Sequence, residues 1–164
     1  MDRFIALIDG TTAQIARIVR WLALAMVLVQ FAIVVGRYVF GVNSIAVQEL
    51  VLYMHATFFM LGAAYTLQVD RHVRVDIFYS RWRPAAQRRV EIFGHVCLLL
   101  PAMAALAYWS WPSVRNSWAI LEGPISVGGL QAVFLLKTLI PVFAVTLMLQ
   151  SMALLARLLL RPAR

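Results

Sequence analysis

Four long apolar blocks dominate this 164-residue chain, at about residues 18–40, 47–67, 90–111 and 127–155. Each reaches the roughly 20 residues that an α-helix needs to cross the hydrocarbon of a bilayer. Inside hydrocarbon a chain must satisfy its own backbone polar groups, which leaves only helices and closed barrels. A barrel would need more and shorter segments with period-2 alternation, and these blocks show none. The sequence therefore predicts an all-α integral membrane protein, four transmembrane helices in a single domain over residues 1–164.

Composition agrees. Hydrophobic residues make up 63% of the chain and charged residues 13%, with a mean hydropathy of +0.82, against roughly 45–50% apolar residues in a soluble domain. A water-soluble fold could not enclose so much apolar surface. The single cysteine, Cys97, rules out a disulfide framework or a multi-cysteine metal site within the chain, and its place in an apolar block predicts a small buried residue. The N-terminus opens Met1-Asp2-Arg3-Phe4 without a small-residue cleavage site behind a short apolar stretch, so no cleaved signal peptide is expected.

The net charge of +8 would suit a nucleic-acid partner, but no basic arm or aromatic-basic platform stands apart from the apolar blocks. The arginines fall on one side instead. Arg3, Arg17 and Arg20 precede the first block, Arg71, Arg74, Arg81, Arg83, Arg88 and Arg89 link the second to the third, and Arg157, Arg161 and Arg164 follow the fourth. On the other side only Arg115 sits in a connection, while Arg37 and Lys137 lie within spans. Cytoplasmic segments carry the excess of Lys and Arg, so both ends are expected in the cytoplasm. Contact with membrane lipid headgroups then accounts for the charge without nucleic acid. Trp109, Trp111 and Trp118 outside, with Trp21, Tyr79 and Trp82 inside, fit interfacial aromatic belts.

Local patterning refines this picture. Gly41-Val42-Asn43-Ser44 between the first two blocks is a turn cluster that predicts a tight helical hairpin. Phe4, Leu7 and Ile8 at helical spacing within residues 1–16 suit a short N-terminal interfacial helix lying on the inner membrane surface. The fourth block, about 29 residues or ~43 Å as a helix, contains Pro141 and is expected to tilt, kink or project.

Ionisable residues inside a membrane are costly, so each one calls for a partner or a role. The hairpin brings Arg37 and Glu49 to similar depth, which allows an ion pair, contact with a partner chain, or side chains reaching separately to the headgroups. Lys137 lies about ten residues into the fourth block, near the midplane, with no acidic residue of the chain evidently level with it. Its readings are an internal partner such as Thr138 or Tyr65, a group on another subunit, or an anion. His55 and His95 in spans two and three raise a second function, a haem-bearing membrane anchor of a redox complex. Their heights differ by on the order of 10 Å in a ~30 Å core, whereas two ligands of one iron should be nearly level. No Ser/His/Asp set, paired carboxylates or phosphate-cradling glycine loop occurs, so no catalytic, cofactor or metal residues are predicted. Gln30, Gln68, Gln131 and Lys137 are too few and scattered to line a pathway through this chain alone. In residues 70–79, His72, Arg74 and Asp76 alternate with Val73, Val75 and Ile77, as in an amphipathic segment at the membrane surface.

Three stretches carry a family resemblance: Gln48-Glu49-Leu50-Val51-Leu52-Tyr53-Met54-His55, Leu61-Gly62-Ala63-Ala64-Tyr65-Thr66-Leu67, and His72-Val73-Arg74-Val75-Asp76-Ile77-Phe78-Tyr79. Together they resemble the small, DctQ-like membrane subunit of tripartite ATP-independent periplasmic (TRAP) transporters. Trp109-Ser110-Trp111, Ser117-Trp118 with Glu122-Gly123, and Leu136-Lys137-Thr138-Leu139-Ile140-Pro141 look like its mannitol/chloroaromatic-type subgroup. The resemblance implies a multi-pass protein of the bacterial inner membrane, without enzymatic activity or cofactor of its own. It also implies two partners, a large permease subunit that performs sodium-coupled transport and a periplasmic solute-binding protein that delivers an organic carboxylate. Arg37, Glu49, His72, Arg74, Asp76 and Lys137 are the candidate interface or structural residues. The chain lacks the broken-helix pair and inverted repeat from which transporters build midplane sites. Small residues such as Gly62, Ala63 and Ala64 would let a neighbouring helix approach closely.

Overall fold

A computed structural model describes residues 2–70 and 82–160. It contains four long apolar helices, α1 (Asp2–Phe40), α2 (Ile45–Gln68), α3 (Pro84–Ala119) and α4 (Val133–Leu160). At 1.5 Å per residue even α2, the shortest with 24 residues, spans ~36 Å. Each helix can therefore cross a membrane, as the apolar blocks predict. The helices run up and down, with α1 packed along α2, α3 along α4, and α2 and α1 both against α4. Both described chain ends thus lie at one end of the bundle, the termini end, and the 41–44 and 120–132 connections lie at the other, the loop end.

Helix α4 occupies the centre. Ala144, Leu147, Gln150, Ser151 and Ala153 on its inward face are buried, all but Leu147 with no exposed surface. Small side chains here let the neighbours approach, which is how helices associate in lipid, where apolar surface alone gives no preference for another helix over an acyl chain. Ala64 and Leu67 of α2 close on Leu147, with Phe143, Leu99 and Met103 packed around them. Outward faces remain apolar and open, including Leu24, Leu28 and Phe31 of α1 and Leu98 and Tyr108 of α3, as expected of surfaces facing hydrocarbon.

The structure differs from the sequence expectation at several points, among them α3, which runs over Pro84–Ala119 rather than about 90–111. No separate surface helix occupies the N-terminal residues: α1 is continuous for 39 residues, and its first turns are held by Ile5 and Ile8 packing on Ala153. The apolar triad that suits a membrane surface fits the end of α4 equally well, and packing decides between them. Helix α4 starts at Val133 rather than near 127, because Pro124, the turn at Ser126 and Gly128, with φ +83°, keep residues 120–132 irregular. Cys97, expected to be buried, is exposed. It sits in a π-helical stretch of α3, Gly94–Leu99, where one extra residue is accommodated in the helix.

The 41–44 turn matches the predicted hairpin. Gly41 adopts φ +66°, a left-handed conformation that commonly ends helices and favours glycine, and the Val42 N–H bonds back to the Gly36 carbonyl at 2.9 Å.

Gln150 is fully enclosed and bonded on both sides, accepting from the Thr12 hydroxyl at 3.0 Å and donating to Asp9 Oδ1 at 3.0 Å. Replacing Gln150 by Leu should strand both partners and lower the stability of the purified protein by about 1–3 kcal/mol. Chemical unfolding in detergent reads this directly, with Leu149→Ala, at an exposed position, as the insensitive control.

Candidate functional site

The polar side chains inside the bundle gather into two centres, one at each end. At the termini end, Asp9 of α1 pairs with Arg157 of α4, its side chain only 15% exposed. The Asp9 backbone carbonyl accepts from Gln68 Nε2 of α2 at 3.2 Å. One turn away, Nδ1 of His95 in the π-helical stretch lies 2.8 Å from the Ser151 hydroxyl of α4. All four helices thus meet through polar contacts within a few turns. Asp9, Thr12, Gln150, Ser151 and Arg157 were not among the sequence candidates. The available signal was Gln150-Ser151, two polar residues inside an otherwise apolar block, where hydrocarbon demands an internal partner.

At the loop end the connection between α3 and α4 is fastened at two points. Glu49 near the start of α2 accepts the Leu130 backbone N–H at 2.7 Å. Gly129 lies so close that an added Cβ would stand 2.5 Å from Glu49 Oε2 and 2.7 Å from Pro124 Cβ. Lys137 Nζ donates to Glu122 Oε2 at 2.5 Å, joining the loop to α4. Trp118 at the end of α3 donates from Nε1 to the Thr138 hydroxyl at 2.8 Å, with its ring edge-on to Phe134 at 4.7 Å.

These contacts revise the sequence expectations for three residues. Arg37 and Glu49 do not pair: Arg37 Nη2 donates to Asn43 Oδ1 at 3.2 Å, Gln48 donates to the same oxygen at 2.6 Å, and Glu49 is taken by the 120–132 connection. Lys137 is not at the midplane and does have a carboxylate of its own chain. With α4 beginning at Val133, Lys137 is its fifth residue, within reach of Glu122, and Thr138 and Tyr65 are not its partners. His72, Arg74 and Asp76 lie outside the described residues. His55 stacks on Phe59 of its own helix, centroids 6.3 Å apart, while His95 is engaged with Ser151.

Glu122 and Lys137 are each about one-third exposed, 31% and 32%, so the pair is partly desolvated but still screened. The hydrogen bond from Lys137 holds the Glu122 carboxyl below the ordinary carboxylate value. Among the described residues no three His, Cys, Asp or Glu side chains are placed to hold a metal ion. The two centres join helices to one another.

Four helices long and apolar enough to cross a membrane, packed side by side, define a multi-pass membrane protein. Residues 26–161 match the family of tripartite ATP-independent periplasmic transporters, DctQ component. The chain belongs to this family: it is the small permease component of a TRAP transporter, a transporter component rather than an enzyme. Membership implies a large permease and a periplasmic binding protein as complex partners. No curated protein matched the chain in a sequence search.

Two predictions follow from the loop-end geometry. Gly129→Ala should push the connection off Glu49 and destabilise it by about 1–3 kcal/mol, the usual scale for overpacking at a tight contact; limited proteolysis within 120–132 should accelerate. Because the Glu122 pKa is lowered on folding, the pair's stabilisation is fully present above the ordinary carboxylate range and is lost as pH falls through the lowered folded value. Unfolding midpoints in detergent should therefore show an acid-side loss that Glu122→Gln removes.

Proposed function

We propose that this chain is a static, non-catalytic scaffold partner of the large permease in a TRAP-type secondary transporter. It lies in the bacterial inner membrane with both ends in the cytoplasm. The complex takes up an organic carboxylate delivered by the periplasmic binding protein, with sodium coupling in the large subunit. The observation that carries the reading is the use of the bundle's polar groups: Asp9, Arg157, Gln150, Glu49, Glu122 and Lys137 are each bound to another element of the same chain. Transport sites need polar groups and broken helices open to a ligand near the midplane, and these centres sit instead at the bundle ends.

Orientation is supported by the arginine distribution. Of the seven described termini-side arginines, five, Arg3, Arg17, Arg20, Arg83 and Arg89, are exposed, as headgroup-facing cations should be. Within the family, Trp109-Ser110-Trp111 and Leu136-Lys137-Thr138-Leu139-Ile140-Pro141 support the mannitol/chloroaromatic-type subgroup.

Affinity capture of the tagged chain from native membranes in mild detergent tests the reading. A much larger multi-spanning protein should co-purify and the eluate should show no Soret band; a solitary chain or a haem signal would overturn it. Lys137→Leu, Glu49→Ala and Asp76→Ala should each reduce assembly or uptake several-fold, leaving the ligand preference of the binding protein unchanged. A shifted ligand preference would place specificity in this subunit and contradict the scaffold role.

A further inference from the structure

A lateral groove of about 770 Å³ opens between α1 and α2 and reaches α4 at its floor. Its long wall is apolar, formed by Phe58, Phe59 and Gly62 of α2 with Phe143 and Leu147 of α4. At the termini end the wall becomes basic, with Arg17 and Arg20 of α1 as its only charged members. Both arginines are exposed. Among the described residues neither is paired with a carboxylate, and Arg20 instead lies over the Trp21 ring at 5.7 Å, an arrangement suited to the headgroup level of a bilayer.

The chemistry runs in one direction along the groove: an apolar slot in the hydrocarbon, then two uncompensated guanidinium groups one helical turn apart. A guanidinium is a planar fork that binds phosphate through paired N–H donors. A peptide helix filling the slot would supply no phosphate for these forks, whereas a phospholipid presents an acyl chain and a phosphate in this order. We propose that the groove is a binding site for one anionic phospholipid, its acyl chain along Phe58, Gly62 and Phe143 and its phosphate between Arg17 and Arg20.

Gly62 provides a probe of the apolar part. A Cβ added there would meet no atom within 4 Å, and Gly62 lines the groove, so Gly62→Leu adds a side chain on the groove wall in a residue type that favours helix. The basic part is tested by Arg17→Gln with Arg20→Gln. Arg83→Gln with Arg89→Gln removes the same charge from exposed positions outside the groove.

The experiment uses the full chain in mild detergent, stripped of native lipid, with phosphatidylglycerol and phosphatidylcholine of identical acyl composition and native mass spectrometry as readout. With each basic side chain near an anionic headgroup contributing roughly fivefold, the two arginines should give roughly a 30-fold preference for phosphatidylglycerol. The Arg17/Arg20 double variant should lose that preference, the Arg83/Arg89 variant should keep it, and Gly62→Leu should weaken retention of both lipids with an unchanged unfolding midpoint. Equal retention of the two lipids by the unsubstituted chain, or equal loss in both arginine variants, would overturn the proposal. So would a photo-crosslinking residue at position 62 that captures protein in place of lipid in intact membranes. Should Gly62→Leu fail to fold, the paired arginine variants still decide the question.

Discussion

Helices in a bilayer gain little by exchanging acyl chains for one another, so a membrane bundle depends on where its backbones can come close and where its polar groups can meet. Here both conditions fall on α4. A third of its most apolar stretch is enclosed, against none of the corresponding stretch of α3. Ala144 and Ala153 have no exposed surface and set the closeness of approach; Gln150 and Ser151, equally enclosed, supply the bonds. The other helices are positioned relative to this one face. The long extension of α1 beyond a bilayer's thickness follows from it too, since Ile5, Ile8, Asp9 and Thr12 all find their contacts on α4.

The sequence carries the number and type of elements clearly, because bilayer thickness imposes a minimum length that four blocks meet. Helix ends are less legible, and the errors propagate. Placing the start of the fourth helix near 127 puts Lys137 ten residues deep and removes Glu122 from consideration. Moving that start to Val133 brings Lys137 close to the loop end and gives it a carboxylate. Gly128 and Pro124 held the information, but apolar Ile125 and Val127, both almost fully exposed, obscure it. The hairpin at 41–44 is legible from its turn residues, yet the partners of Arg37 and Glu49 are not. Glu49 bonds to a backbone N–H 81 residues away, and only tertiary packing determines such a contact. The N-terminal triad illustrates the same limit: an amphipathic segment declares that one face is apolar without saying whether lipid or protein will cover it.

Division of labour within the transporter fits these energetics. A moving transport element must break and remake polar contacts, which requires alternatives of nearly equal free energy. The centres at the two ends of this bundle instead connect different helices through short bonds and ion pairs, and several members are enclosed. Such contacts are what the scaffold role proposed above requires of a stationary element. The chain, a member of the DctQ family, also presents wide apolar outer faces, among them Leu24, Leu28 and Phe31 of α1.

The π-helical stretch in α3 has a further consequence for how this bundle tolerates change in length. A single inserted residue in an ordinary helix rotates everything beyond it by about 100°, turning a packed face toward lipid. Gly94–Leu99 confines such an insertion to one widened turn, leaving His95 on Ser151 and the following segment still aligned with α4. Excising one residue from this turn would restore regular helical pitch at the expense of phase between the two halves of α3. The helix is in this sense two segments whose faces are set independently, joined by a turn that absorbs the mismatch.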